Sequence, residues 1–217
     1  MKGICFTKSM FLATIEGRKT QTRRMVADRN LDFFLENFGI DNIDIVLPKK
    51  EEYVNKADYG NIFGITRKHL PIHYCGIIKS RYKVGETVYL KEPYCIIETD
   101  DVIFYKYAEK DISGTDKWKN KLFMPEKYAR YFIEITDVKC ERLQDISDED
   151  CLKEGIIYDD SSYIACEEYT FLNNIDDWLY DTPSEAYAAL IDKISGKGTW
   201  KSNPYVFAYD FKLINNK

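Results

Sequence analysis

Gly17-Arg18-Lys19-Thr20-Gln21-Thr22-Arg23-Arg24 packs four cations and two hydroxyls into eight residues. Upstream, Ser9 precedes Phe11, Leu12 and Ile15, which predicts a short helix capped by Ser9 and closed by Gly17. Glycine takes the positive φ that such a reversal needs. Downstream, residues 22–26 read as a strand with Thr22, Arg24 and Val26 on one face and Lys19 approaching from the turn. A bidentate arginine, a point-charge lysine and a hydroxyl form a phosphate-binding set. The competing reading is a solvated turn, because cations favour a helix C-terminus by about 0.3–1 kcal/mol each.

Working outward, residues 2–6 read as a first strand, and Lys83-Val84-Gly85-Glu86 as a turn into a strand over 87–92 that Pro93 ends. Residues 95–98 and 102–108 flank Thr99-Asp100-Asp101 as a hairpin, followed by a polar loop over 109–121. Tyr131, Ile133 and Ile135 share one face of a strand over 130–138. Ser147 and Asp150 resemble a capping box for a short helix stopping at Gly155. Ser184 opens another helix with Tyr187, Leu190, Ile191 and Ile194 inward, ending at Gly196. In the last strand Tyr205, Phe207, Tyr209, Phe211 and Leu213 alternate with Val206, Ala208, Asp210 and Lys212. Separated strands with a few short helices predict an α+β fold around a small mixed or closed sheet.

Length and composition set the frame. A chain of 217 residues with 45% hydrophobic and 15% aromatic residues can bury a sizeable core, and one domain with insertions is expected. The insertions fall at 27–73, where Leu31, Phe34, Leu35 and Phe38 suggest one helix, and at 157–180. No apolar run reaches the ~18 residues of a membrane span, and the basic N-terminus lacks a cleavage site, so an intracellular, cytoplasmic protein is expected. The six cysteines show no C-x-x-C pair and read as free thiols. His69, His73 and Cys75 are read as loop residues rather than metal ligands, because Pro71 opposes a helix between the histidines. Neither a metal nor a cofactor is expected.

The net charge of −5 argues against wrapping a long duplex by charge alone. Residues 1–30 nevertheless carry seven Lys or Arg against two Asp or Glu, whereas residues 141–217 carry seven against sixteen. A focal basic site on an acidic body suits a small anionic ligand or a short nucleic-acid contact.

Glu92 continues the apolar row of Val88 and Leu90, so its carboxylate is expected to be either partnered or raised in pKa. The alternative is a strand end that has reached solvent. Trp118 and Arg130 belong to stretches that mix aromatic rings with cations, a composition suited to base stacking, although most aromatics in this chain are expected to be core. Ser195-Gly196-Lys197-Gly198-Thr199 has the wrong glycine spacing for a phosphate loop and reads as a helix exit followed by a strand. Glu167-Glu168 and Asp176-Asp177 read as solvated acidic pairs.

The pattern Gly17-x-Lys19-x-x-Thr22-x-Arg24 resembles the signature turn of ASCH domains, relatives of the PUA fold. Similarity to ASCH-like proteins of bacteriophages and prophages extends through Gly85 to Glu92, Met124-Pro125 to Arg130, Thr136 to Gly155, and Gly196 to Phe211. The resemblance implies a small PUA-like β-barrel of mixed, largely antiparallel strands with flanking short helices. It also implies a cleft that accepts RNA, nucleotides or modified bases, in a bacterial host cell. It admits three functions. In the first, a binding module takes a nucleotide, a modified nucleoside or a short RNA or DNA. Lys19 and Arg24 then hold phosphate beside Gly17 and Arg18, Thr22 and Glu92 read base edges, and Arg130 or Trp118 flanks the ligand. In the second, the chain resembles small N4-acetylcytidine amidohydrolases, whose catalytic lysine, threonine and glutamate fall on Lys19, Thr22 and Glu92. The insertion directly after the turn departs from that branch. In the third, a phage accessory protein binds a host protein through its acidic C-terminal third.

Overall fold

A computed structural model describes residues 1–39, 43–46, 61–68, 76–97, 102–108, 118–159, 168–171 and 179–214. His69, His73, Cys75, Thr99-Asp100-Asp101, Cys166, Glu167 and Asp176-Asp177 lie outside them.

The chain enters through strand β1 (Lys2–Cys5) and turns into helix α1 (Lys8–Ile15). The expected cap is displaced by two residues: Thr7, not Ser9, accepts from Met10 N. Gly17, at φ +77°, reverses the chain into β2 (Gln21–Met25). β6 (Thr87–Lys91), β9 (Phe132–Arg142) and β12 (Tyr205–Ile214) complete a five-stranded sheet of order β1-β6-β9-β12-β2. Only β1 and β6 run parallel in it. β9 and β12 run longer than the patterns at 130–138 and 205–213 suggest, and their pairing is shifted by a bulge at Asp210 and Phe211. The fold is mixed α+β and mostly antiparallel. No closed barrel forms among the described residues, because β1 and β2 remain the two sheet edges.

The stretch after β2 carries the expected helix, α2 (Arg29–Phe38). It also carries strands that the mixed periodicity concealed. β3 (Ile43–Val46), β4 (Ile62–Arg67) and β5 (Gly76–Lys79) form an antiparallel sheet in that order. β7 (Tyr94–Ile97) and β8 (Val102–Tyr105) pair as the expected hairpin. α3 (Asp148–Lys153) has Ser147 as its cap and ends at Gly155, at φ +102°. β10 (Ile156–Asp159) then pairs with β11 (Glu168–Phe171).

Helix α4 (Pro183–Ser195) is capped by Thr182 rather than Ser184, with Pro183 in its first turn. Tyr187, Leu190 and Ile191 face inward as expected, but Ile194 is exposed. A four-residue helix, α5 (Thr199–Ser202), intervenes before β12 where a strand alone was expected.

β12 is the axis of the molecule because both of its faces are covered. Phe207, Tyr209 and Phe211 join Ile4, Phe11, Val88, Leu90, Ile133 and Ile135 in the main core, together with Leu31, Ile43, Phe63, Ile65 and Ile78. On the opposite face Val206 joins Leu143, Cys151, Ile156, Tyr187, Leu190 and Ile191 in a second cluster under α4. Cys5, Cys95, Cys140 and Cys151 are free thiols. No described helix is long and apolar enough to cross a membrane.

Candidate functional site

The basic turn divides its cations between the interior and the surface. Lys19 is buried, and its ammonium donates to Gln21 O (2.7 Å), Glu154 O (2.8 Å) and Glu154 Oε2 (2.5 Å). An ammonium has three donors, so none is left for a ligand. Burial pushes the Lys19 pKa down, against the pull of Glu154. Thr20 N donates to Lys153 O (2.9 Å). The motif therefore caps the last carbonyls of α3, a helix more than a hundred residues later, rather than those of α1 alone.

Arg23 is the centre of the same network. It reaches Glu141 Oε1 (2.7 Å), Asp150 Oδ2 (3.3 Å) and Glu154 Oε1 (3.3 Å), and also donates to the side chain of Gln21. Lys153 adds a further bond to Asp150 at 2.8 Å. Three cations thus face three carboxylates. Burial pulls the Arg23 pKa down, but Glu154, with Tyr187 and Glu141, holds it above the usual guanidinium range. Arg18, by contrast, is exposed and pairs with Glu16.

Thr22 and Arg24 line a hollow of about 280 Å³ between the start of α1, β2 and the end of α4. Lys121, Glu154, Ser195 and Thr199 contribute polar groups to it, and Met10, Leu143, Tyr187 and Ile191 supply apolar walls. The Thr22 hydroxyl has no hydrogen-bond partner among the described residues. Arg24 donates one bond, from Nη2 to Cys5 O (2.7 Å), and lies over the Phe6 ring at 5.5 Å. That bond ties the two edge strands β1 and β2 together. Lys121 Nζ donates to Phe6 O and lies 3.4 Å from Tyr107 Oη. Ser195 ends α4 and Thr199 begins α5, and the turn between them is held by Asp192 accepting from Gly198 N and Trp200 N.

Glu92 is fully buried and accepts from Arg130 through both oxygens, at 2.9 and 2.8 Å. Burial raises its pKa and Arg130 opposes that rise. Arg130 stacks on Tyr105 at 4.1 Å and on Tyr131 at 5.1 Å. Neither Glu92 nor Arg130 lines the hollow with Thr22 and Arg24. Trp118 stands apart from it as well, with Lys106 Nζ 5.9 Å from its ring. The structure thus brings Thr22 and Arg24 to one hollow and joins Lys19 to it through Glu154 and through the Phe6 ring, over which its ammonium lies at 5.7 Å. Glu92 and Arg130 form a pair of their own.

Arg23, Glu154 and Lys121 escaped the sequence reading as site residues. Strand alternation set Arg23 opposite Thr22 and Arg24, which was a signal for its separate role. Glu154 had no comparable signal, since its partner Lys19 is 135 residues away. No protein-family model, no curated protein and no solved structure matches the chain.

Proposed function

We propose that the protein binds a nucleotide or a nucleobase-bearing ligand in the hollow lined by Thr22 and Arg24, as an ASCH-type, PUA-like module. The observation that carries this reading is the Thr22 hydroxyl, without a hydrogen-bond partner among the described residues, beside Arg24 in a hollow whose volume lies near the lower end for small-ligand sites. Apolar walls suit the faces of a base, while Thr22, Ser195 and Glu154 offer donors and acceptors to its edge. Arg24 supplies a guanidinium for phosphate. The Arg24 bond from β2 to Cys5 O of β1 joins the two edge strands of the open sheet and so supports the PUA-like reading.

A nucleoside hydrolase is the second reading, favoured by one observation: burial lowers the Lys19 pKa, and Glu154, which holds Lys19, lines the same hollow as Thr22. A deprotonated lysine there would activate the threonine or a water.

Both readings meet in one experiment. Nucleosides (N4-acetylcytidine included), nucleotides and short RNAs are titrated calorimetrically into the wild type and into Thr22→Val and Arg24→Ala. Loss of a charge-assisted hydrogen bond is expected to weaken binding by about 10- to 100-fold. Uniformly absent binding, or equal binding in both variants, removes the module. Chromatography of the N4-acetylcytidine mixture removes the hydrolase if no cytidine forms above the Thr22→Val blank.

A further inference from the structure

A second hollow, of about 570 Å³, opens on the other side of Arg24 and is the larger of the two. Arg24, Lys79, Arg81 and Lys91 line it, and no acidic side chain does among the described residues. Such a lining is unusual in a chain of net charge −5. Neighbouring cations repel one another, and a concave low-dielectric wall concentrates their field.

Arg24, Arg81 and Lys91 have few partners among the described residues. Arg81 stacks on Tyr82 at 5.5 Å, and its guanidinium makes no ion pair with any described residue. Arg24 gives one bond to a backbone carbonyl, and Lys91 gives one, to Leu122 O at 2.8 Å. Each therefore keeps donors for a ligand. Beneath them the rings of Tyr82 and Tyr209 meet edge to face at 5.3 Å. Both hydroxyls are committed: Tyr82 Oη donates to Gly3 O (3.1 Å) and Tyr209 Oη accepts from Arg81 N (3.1 Å). The floor is rigid and the rim is cationic. Burial raises the Tyr82 pKa, and the charges of Arg81 and Arg24 oppose that rise.

Gly3 explains how Lys91 reaches this place. A Cβ at Gly3 would come within 2.4 Å of Lys91 Cε and 2.6 Å of Tyr89 Cζ. The missing side chain lets the lysine stem lie across β1.

We infer that this second hollow is an anion site for a ligand bearing linked phosphates, held by Arg24, Arg81 and Lys91 above Tyr82. Two guanidiniums grip phosphate oxygens bidentately and the ammonium adds a point charge. The volume exceeds what a single phosphate needs. This inference goes beyond the base-binding reading and does not require the first hollow to be occupied.

The test uses tripolyphosphate, which carries no base, titrated calorimetrically at low ionic strength. The wild type is expected to bind one equivalent. Arg81→Gln and Lys91→Gln should each weaken binding by about tenfold or more, and Thr22→Val should leave it unchanged. Near-UV circular dichroism establishes that each variant is folded, and Arg81→Lys, which keeps the charge, should recover part of the affinity. Parallel titrations with ATP and with a 5′-phosphorylated single-stranded hexanucleotide identify the phosphate carrier as the tighter binder. Absence of tripolyphosphate binding to the wild type overturns the inference. So does undiminished affinity in folded Arg81→Gln and Lys91→Gln, or a loss confined to Thr22→Val. Failure of the base-binding reading would instead show as absent nucleoside binding with tripolyphosphate binding intact.

Discussion

Burying Arg130-paired Glu92 and Glu154-paired Lys19 removes charge from water at a cost that only the partner offsets. Arg130 keeps part of its side chain in solvent while Glu92 is enclosed, so Arg130→Met leaves a carboxylate stranded in the interior. The expected loss is about 3 kcal/mol near neutral pH. Its pH dependence follows from the direction of the shift. Burial already lifts the Glu92 pKa above 4.5, and without Arg130 it rises further. The folded variant then holds a proton that the unfolded chain releases above that ordinary value. Its deficit relative to wild type should shrink as pH falls through the raised pKa toward 4.5. Urea unfolding at several pH values measures this; a deficit constant with pH would mean that Glu92 carries no stranded charge. The burial of Glu92 was legible in the Val88, Leu90, Glu92 alternation. The Lys19–Glu154 pair was not, because a contact across 135 residues leaves no local pattern.

Among the elements, the strongest periodicities gave the right helices and the wrong first residues. Both misplaced caps follow one rule: a second hydroxyl stands two positions after the true cap, Ser9 after Thr7 and Ser184 after Thr182. Pro183 marks the first turn and so points to Thr182 rather than Ser184, a signal present in the chain. Thr182→Ala removes the hydroxyl that accepts from Glu185 N and should cost about 1 kcal/mol. In a chain of this size that is a fall in Tm of about 2–4 °C. Ser184→Ala should change Tm by much less, and thermal unfolding of the two variants side by side decides between the caps. A larger fall in Ser184→Ala would return the cap to Ser184. The short strands β3, β4, β10 and β11 were illegible for a different reason. Each has only four to six residues, too few for a period of two to stand out, and β4 buries four successive residues, Phe63 to Thr66, without alternating.

At the scale of the whole molecule, the stretch 27–73 reads in sequence as an addition to the domain, yet its described part packs as core. Ile43, Phe63 and Ile65 lie in the same buried cluster as Phe207 and Tyr209. Phe63 meets Phe207 at 5.4 Å between ring centres, and Tyr205 Oη donates to Ile43 O at 3.0 Å. Strand β12 therefore stands between this stretch and the helices of the C-terminal third, whose own cluster takes Val206 from the opposite face. A disturbance on either side must pass through the strand that also pairs with β2, and β2 carries Thr22 and Arg24. Ile65 is fully enclosed, so Ile65→Ala leaves a cavity and should destabilise the protein by about 2–5 kcal/mol. If the core is shared, the variant unfolds in one transition, with tryptophan fluorescence and far-ultraviolet circular dichroism moving together at a lower denaturant midpoint. A separately folding appendage would give two transitions, only the first of them shifted. That outcome would detach the 27–73 stretch from the support of the site, leaving α4 and β9 as its remaining buttresses.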